Sequence, residues 1–159
     1  MDILTAIANF VMATLSHDPA KIIVGRANYE MIDFSDDIII IDNLITSVVG
    51  QTDTYDRINE NMSYGINTKS IITITFYGDD ALTNASDFIA LCKSEVANDT
   101  AFIQGFSYKY PSKMTNTGIL TGTQRSEKYE VEMAIYYTHE KKIDTLSIET
   151  AELSFLVND

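Results

Sequence analysis

Breakers are scarce in this chain. Two prolines and seven glycines interrupt 159 residues, tryptophan is missing and cysteine occurs once. So few breakers leave no room for a flexible linker or a low-complexity tail. A single cysteine, Cys92, excludes an internal disulfide framework and points to a reducing compartment. Long apolar runs are lacking too: Ile38 to Ile41 make a short run, far below the ~20 residues that a bilayer-spanning helix needs. The start, "MDILTAIANF", opens on an acid and lacks the basic lead of a signal peptide, so an uncleaved product is expected. Positive charge is the scarcest property. Eleven lysines and arginines stand against 23 acids, for a net charge of −12. A tight grip on a nucleic-acid backbone or an anionic membrane needs clustered cations, and this chain has none.

At this length the chain matches one domain, 1–159, and can bury a real core, being 45% hydrophobic and 21% charged. Asp2 to Leu15 reads as a helix with Ile3, Ile7, Phe10, Val11 and Leu15 on one face, ended by Pro19. Lys21 to Gly25 reads as a short strand, and the β-branched run from Ile38 as a buried one. Thr54 to Tyr64 is polar and fits either a strand beside a hairpin or an extended loop. Lys69 to Tyr77 alternates, with Ile72, Ile74 and Phe76 on one face and mostly threonine on the other. Gly105 to Tyr110 is a strand candidate that stops at Pro111, and "PSKMTNTGILTGTQ" reads as a long exposed loop. Lys128 to Tyr137 and Leu146 to Val157 supply two further strands. The order favours an α+β fold, a mostly antiparallel sheet flanked by two main helices at about 2–15 and 79–97.

The stretch "FYGDDALTNASDFIALCKSEV", Phe76 to Val96, turns from strand to helix through Gly78. A phosphate-holding loop needs several glycines and a cation, whereas here two aspartates follow a lone glycine. Asp79 and Asp80 suit a helix start, where carboxylates accept the free N–H groups; a metal site is the alternative. Ala81, Ala85, Phe88, Ile89, Cys92 and Val96 continue as an apolar stripe, which makes Cys92 a buried, inert thiol rather than a nucleophile. His17 and His139 lack metal-like spacing and read as surface residues. Asp33, Asp36, Asp37 and Asp42 lack the glycine and terminal glutamate of a calcium loop. No nucleophile elbow is present, and an enzyme is not expected.

Three stretches in order, "KIIVGRANYEM", "SIITITFYGDDALTNASDFIALCKSE" and "TQRSEKYEVEMAIYY", resemble the phage neck or tail terminator proteins, small tail-completion subunits of tailed bacteriophages. The second stretch, with its strand, "YG" turn and helix, is the most specific. The resemblance implies a non-enzymatic virion part without cofactors. It implies an α+β subunit that forms a ring, typically of six, capping the tail tube and joining tail to head or neck. Its partners would be further copies of itself, the tail tube protein and head-closure or neck proteins, with genomic DNA passing through unbound and no membrane involved. Assembly would take place in the host cytoplasm and the product would reside in the virion. The alternatives are another connector ring component, head-closure or tube-like, and a small-molecule or metal-binding module. The polar segments Thr52–Asn67 and Lys113–Arg125 hold several of the few cations. They make Tyr55, Arg57, Tyr64, Lys113 and Arg125 the expected contacts with neighbours and tube, leaving the remaining acids to face the channel.

Overall fold

The computed structural model describes residues 2–25, 37–56, 61–121 and 124–144. In chain order these form α1 (Ile3–Leu15), a 3-10 turn at Pro19–Lys21, β1 (Ile22–Val24), β2 (Ile39–Asp56), β3 (Asn61–Tyr77), α2 (Ala81–Leu91) and α3 (Glu95–Ile103). Then follow β4 (Phe106–Tyr108), β5 (Met114–Asn116), β6 (Ile119–Thr121), β7 (Gln124–Ser126) and β8 (Lys128–Asp144). One mixed sheet runs β1-β2-β3-β8-β4, with β5 added to the same outer edge of β8, and β6 and β7 form a separate hairpin. Among the described residues only the β1–β2 pair is parallel; β2–β3, β3–β8, β4–β8 and β5–β8 are antiparallel. The expected α+β arrangement with a mostly antiparallel sheet is therefore observed.

The helices cover one face of one half of that sheet. Ile39 and Ile41 of β2, Ile72, Ile74 and Phe76 of β3, and Val131, Met133 and Ile135 of β8 are buried beneath Ile7, Phe10 and Val11 of α1 and Phe88 of α2. Alternation explains the choice: successive strand side chains point to opposite faces, and these positions pair in register as Ile41–Ile74–Val131 and Ile39–Phe76–Tyr129. Phe10 is the hub. Its ring meets Phe88 edge-on at 6.0 Å and Phe106 at 5.6 Å, so truncation to alanine would cost about 3–5 kcal/mol.

Several boundaries differ from the sequence reading. The helix expected at 79–97 is two helices. α2 stops at Leu91, and Ser94 caps α3 by accepting from the Ala97 N–H at 3.2 Å. The new axis turns Ala97 and Ala101 inward and leaves Val96 57% exposed, off the stripe assigned to it. α1 ends at Ser16, which takes the left-handed conformation (φ 52°), three residues before Pro19. Thr54–Tyr64 is neither loop nor flank: its described residues belong to the two paired arms of one hairpin, β2 and β3. The expected loop after Pro111 carries the short strands β5, β6 and β7. β8 extends to Asp144, seven residues past Tyr137. The strand expected at Leu146–Val157 lies outside the described residues.

At the opening of α2, Gly78 sits at φ 102°, a conformation that favours glycine. Asp80 occupies the cap position but its side chain makes no capping bond. Its own N–H instead donates to Asp37 Oδ1 at 3.2 Å. The carboxylate that serves this turn thus comes from the segment before β2, which corrects the expected pairing of Asp79 and Asp80 with the helix start.

Candidate functional site

β2 and β3, at 18 and 17 residues, outrun the helices. At about 3.3 Å per residue, the portion from Asn61 to Ser70 carries the sheet roughly 30 Å beyond the last core row. On the helix side of β3, burial persists through Ser70 and Thr68, then Ile66 is 38% and Tyr64 44% exposed. The arm has three strands, and register places its side chains in rows. On the side that continues the helix-covered face lie Val48–Thr68–Tyr137, Gln51–Ile66–His139, Asp53–Tyr64–Lys141 and Tyr55–Met62–Ile143. Val48, Tyr55, Tyr64, Ile66 and Ile143 there are all exposed. The reverse side is polar and small, with Gly50–Asn67–Thr138, Thr52–Gly65–Glu140 and Thr54–Ser63–Lys142. Thr138 Oγ1 donates to Asn67 Oδ1 at 2.8 Å across it. Among the described residues this is a three-stranded sheet with one largely apolar face open to water, an unfinished layer.

A second apolar patch stands on the helices. Phe102 is 85% and Ile103 77% exposed at the end of α3; Val96 near its start and Leu91 at the end of α2 are exposed as well. Asp87, Glu95 and Asp99 are exposed on the same two helices, against Lys93. Charge is unevenly divided. Residues 45–70 and 136–144 hold five acids and four lysines or arginines, against eighteen and seven in the rest of the chain. The arm is nearly neutral and the remainder carries almost all of the excess negative charge.

Of the residues expected at contacts, Tyr55 and Tyr64 come together on the apolar side of the arm, one row apart. Arg57 lies outside the described residues, at the hairpin's tip in sequence. Lys113 is elsewhere: it lines an open groove of about 390 Å³ beside β8, with Lys109, Tyr110, Glu130, Glu132 and Ala134. Arg125 lies in β7, opposite Leu120 in the small hairpin. Val48, Ile66, Ile143, Phe102 and Ile103 were missed by sequence reasoning. The available signal was apolar side chains inside otherwise polar segments, at positions where no helix or strand period asked for them.

The remaining chemistry is structural. Cys92 is buried and its thiol is pushed up to about 12 by desolvation, so it stays protonated. Its carbonyl accepts from the Tyr108 hydroxyl at 2.6 Å. Asp33 and Asp36 lie outside the described residues, and Asp37 is engaged at the α2 turn. His139 is exposed as expected, whereas His17 is only half exposed, its Nε2 enclosed. Among the described residues no three His, Cys, Asp or Glu side chains converge as metal ligands, and no helix is long and apolar enough to cross a membrane.

A family model described as phage neck terminator protein matches residues 1–158. No curated protein matches the chain.

Proposed function

Because the chain belongs to the phage neck terminator protein family, structural components of the virion neck, we propose that it caps the tail tube as a closed ring of six and joins the tail to the head or neck while DNA passes through. The observation that carries this reading is the arm. A subunit that ends its life as a monomer has no use for a largely apolar sheet face, open over roughly 20 Å at strand rise, held clear of its own core, whereas a ring subunit needs such a face for its neighbour. Tyr55 and Tyr64 serve that contact, and Arg57, two residues after Tyr55 in sequence, joins them. Lys113 and Arg125, away from the arm, face the tail tube protein or the head-closure proteins. Outside the arm, eighteen acids against seven cations supply the wall that DNA slides past, since like charge keeps the phosphates from adhering. Assembly takes place in the host cytoplasm and needs no cofactor.

Imaging the purified protein with and without its tail tube tests this. A closed six-fold ring at the tube's head-proximal end, with a net acidic inner wall, is the expected result. A single copy bound at one point, or a strongly basic lumen, would sink it. Rings stacking along the tube would instead identify a tube-like subunit.

A further inference from the structure

We infer that the apolar side of the β2–β3–β8 arm of one copy lies across the α2–α3 face of the next copy, so that the ring closes through one repeated arm-on-helix contact. This rests on the ring reading above and specifies its joint.

A ring needs a heterologous contact, in which two different patches of the same chain meet. Among the described residues the chain offers two exposed apolar surfaces: the arm side bearing Val48, Tyr64, Ile66 and Ile143, and the end of α3 bearing Phe102 and Ile103. Pairing arm with arm would join the copies about a two-fold axis and stop at a dimer. Pairing helix end with helix end would set the acidic parts of two copies against each other. Arm on helix avoids both outcomes. It brings the nearly neutral part of one copy, with its charge-balanced row Asp53–Tyr64–Lys141, to the acidic part of the next, which carries Asp87, Glu95 and Asp99.

The open part of the arm side, from Asn61 to Ile66 with its neighbours on β2 and β8, covers roughly 20 by 14 Å, about 280 Å² before side-chain relief. A specific contact of about 1,000 Å² in total takes about 500 Å² from each partner, so the side chains that stand out from the strands and the exposed Val48 beyond them must supply the rest. The aromatic side chains upon it, Tyr55 and Tyr64, are of the kind that dominates such contacts.

The test uses two variants, Ile66→Asp on the arm and Phe102→Asp on α3, in sedimentation at about 0.5 M salt, where surface charges are screened beyond a few ångströms. Both positions are exposed, so both variants are expected to melt within a few degrees of the parent, which circular dichroism checks. The parent is expected to form rings, and each variant alone to remain a monomer. An equal mixture is expected to form a dimer and nothing larger, because the intact arm of one variant meets the intact helix face of the other and the chain of contacts ends there. If Phe102→Asp alone still pairs, the arms join each other and the inference falls. If both variants form rings like the parent, the ring stands and this joint is wrong. If the parent itself forms no ring, free or on its tail tube, the functional reading falls and the joint with it.

Discussion

Gly65 faces Thr52 across the β2–β3 ladder with no space for a side chain between them. A Cβ built on Gly65 would collide with Thr52 Oγ1, and would also stand 3.3 Å from the Thr52 carbonyl oxygen and 3.4 Å from Thr138 Cγ2. The glycine is there for close approach within the three-stranded arm. Gly65→Ala is expected to cost about 1–2 kcal/mol through overpacking. Thr52→Ala added to it should recover most of that loss, giving a non-additive cycle in thermal or urea unfolding. Full additivity would show that Thr52 is not what excludes the methyl group.

The helix starts rank by their side-chain bonds rather than by their residue types. Ser94→Ala removes the bond to the Ala97 N–H and should cost about 1 kcal/mol. Asp37→Ala removes the acceptor of the Asp80 N–H and should cost about 0.5–1 kcal/mol, the usual net value of one hydrogen bond. Asp80→Ala removes no capping bond and should change the urea midpoint least of the three. An Asp80→Ala loss larger than that of Asp37→Ala would restore the simpler reading of this turn.

That turn illustrates what the sequence disclosed and what it concealed. The core halves of β3 and β8 were legible because large apolar residues alternate with Thr or Glu, as in Ile72–Thr73–Ile74–Thr75–Phe76, and that of β2 because four isoleucines, Ile38 to Ile41, make a β-branched run. The arm halves were not. Among the described residues no second layer packs on them to enforce alternation, and irregularities between Asn43/Ile45 and Val48/Gly50 shift the two-residue period of β2 twice. The break between α2 and α3 was hidden by an apolar stripe that happens to run on through Cys92 to Val96. Ser94 was the overlooked start signal. Tyr55 and Tyr64, picked out as aromatics in a polar segment, do come together on the exposed apolar side of the arm. Phe102 and Ile103 were not picked out, because a helix was expected to have ended before them and they fell between expected elements.

Asp2 gives α1 a pH-dependent start. Its Oδ2 accepts from the Thr5 hydroxyl at 2.6 Å and its Oδ1 from the Leu4 N–H at 3.2 Å. The Thr5 bond is the main reason its carboxyl sits below the ordinary carboxylate value, with a small opposing desolvation and help from the backbone N–H groups of Leu4 and Thr5. A carboxyl whose folded value is depressed adds stability above its unfolded value, and loses it as pH falls through the folded one. Asp2→Asn should therefore remove a stability increment present at neutral pH and absent in strong acid. The expected signature is a difference in melting temperature that shrinks as the pH drops below about 4. A difference that stays constant with pH would mean the bond does not depend on the charge.

The corner between α2 and α3 is tied to β4 by one hydroxyl. Tyr108 donates to the Cys92 carbonyl at 2.6 Å and lies 3.1 Å from Asn98 Oδ1. Burial holds this phenol up to about 12, so it remains a donor across the working range. Tyr108→Phe keeps the ring against Phe10, 4.9 Å away, and removes only the hydroxyl, at an expected cost of about 1 kcal/mol. The Cys92 thiol reports on the same corner. Being buried and protonated, it should react with an alkylating reagent only when the corner opens. Tyr108→Phe should speed that reaction while leaving the far-ultraviolet spectrum unchanged. An unaltered labelling rate would show that the corner is held by packing alone.

Assembly should strengthen with salt, the reverse of what ion-pair-driven association does. Each free copy carries −12, nearly all of it off the arm, so bringing copies together first meets mutual repulsion. Between about 0.01 M and 0.15 M salt the screening length falls from roughly 30 Å to roughly 8 Å, which removes most of that repulsion and leaves apolar burial untouched. The weight-average mass in sedimentation at fixed protein concentration should therefore rise across this range. Lys141→Glu should lower it at every salt concentration and steepen its rise, because the substitution replaces a cation on the contact side of the arm with an acid. A mass that falls as salt is added would mean that charge pairs drive the contact and would overturn the assignment of its strength to the arm's apolar rows.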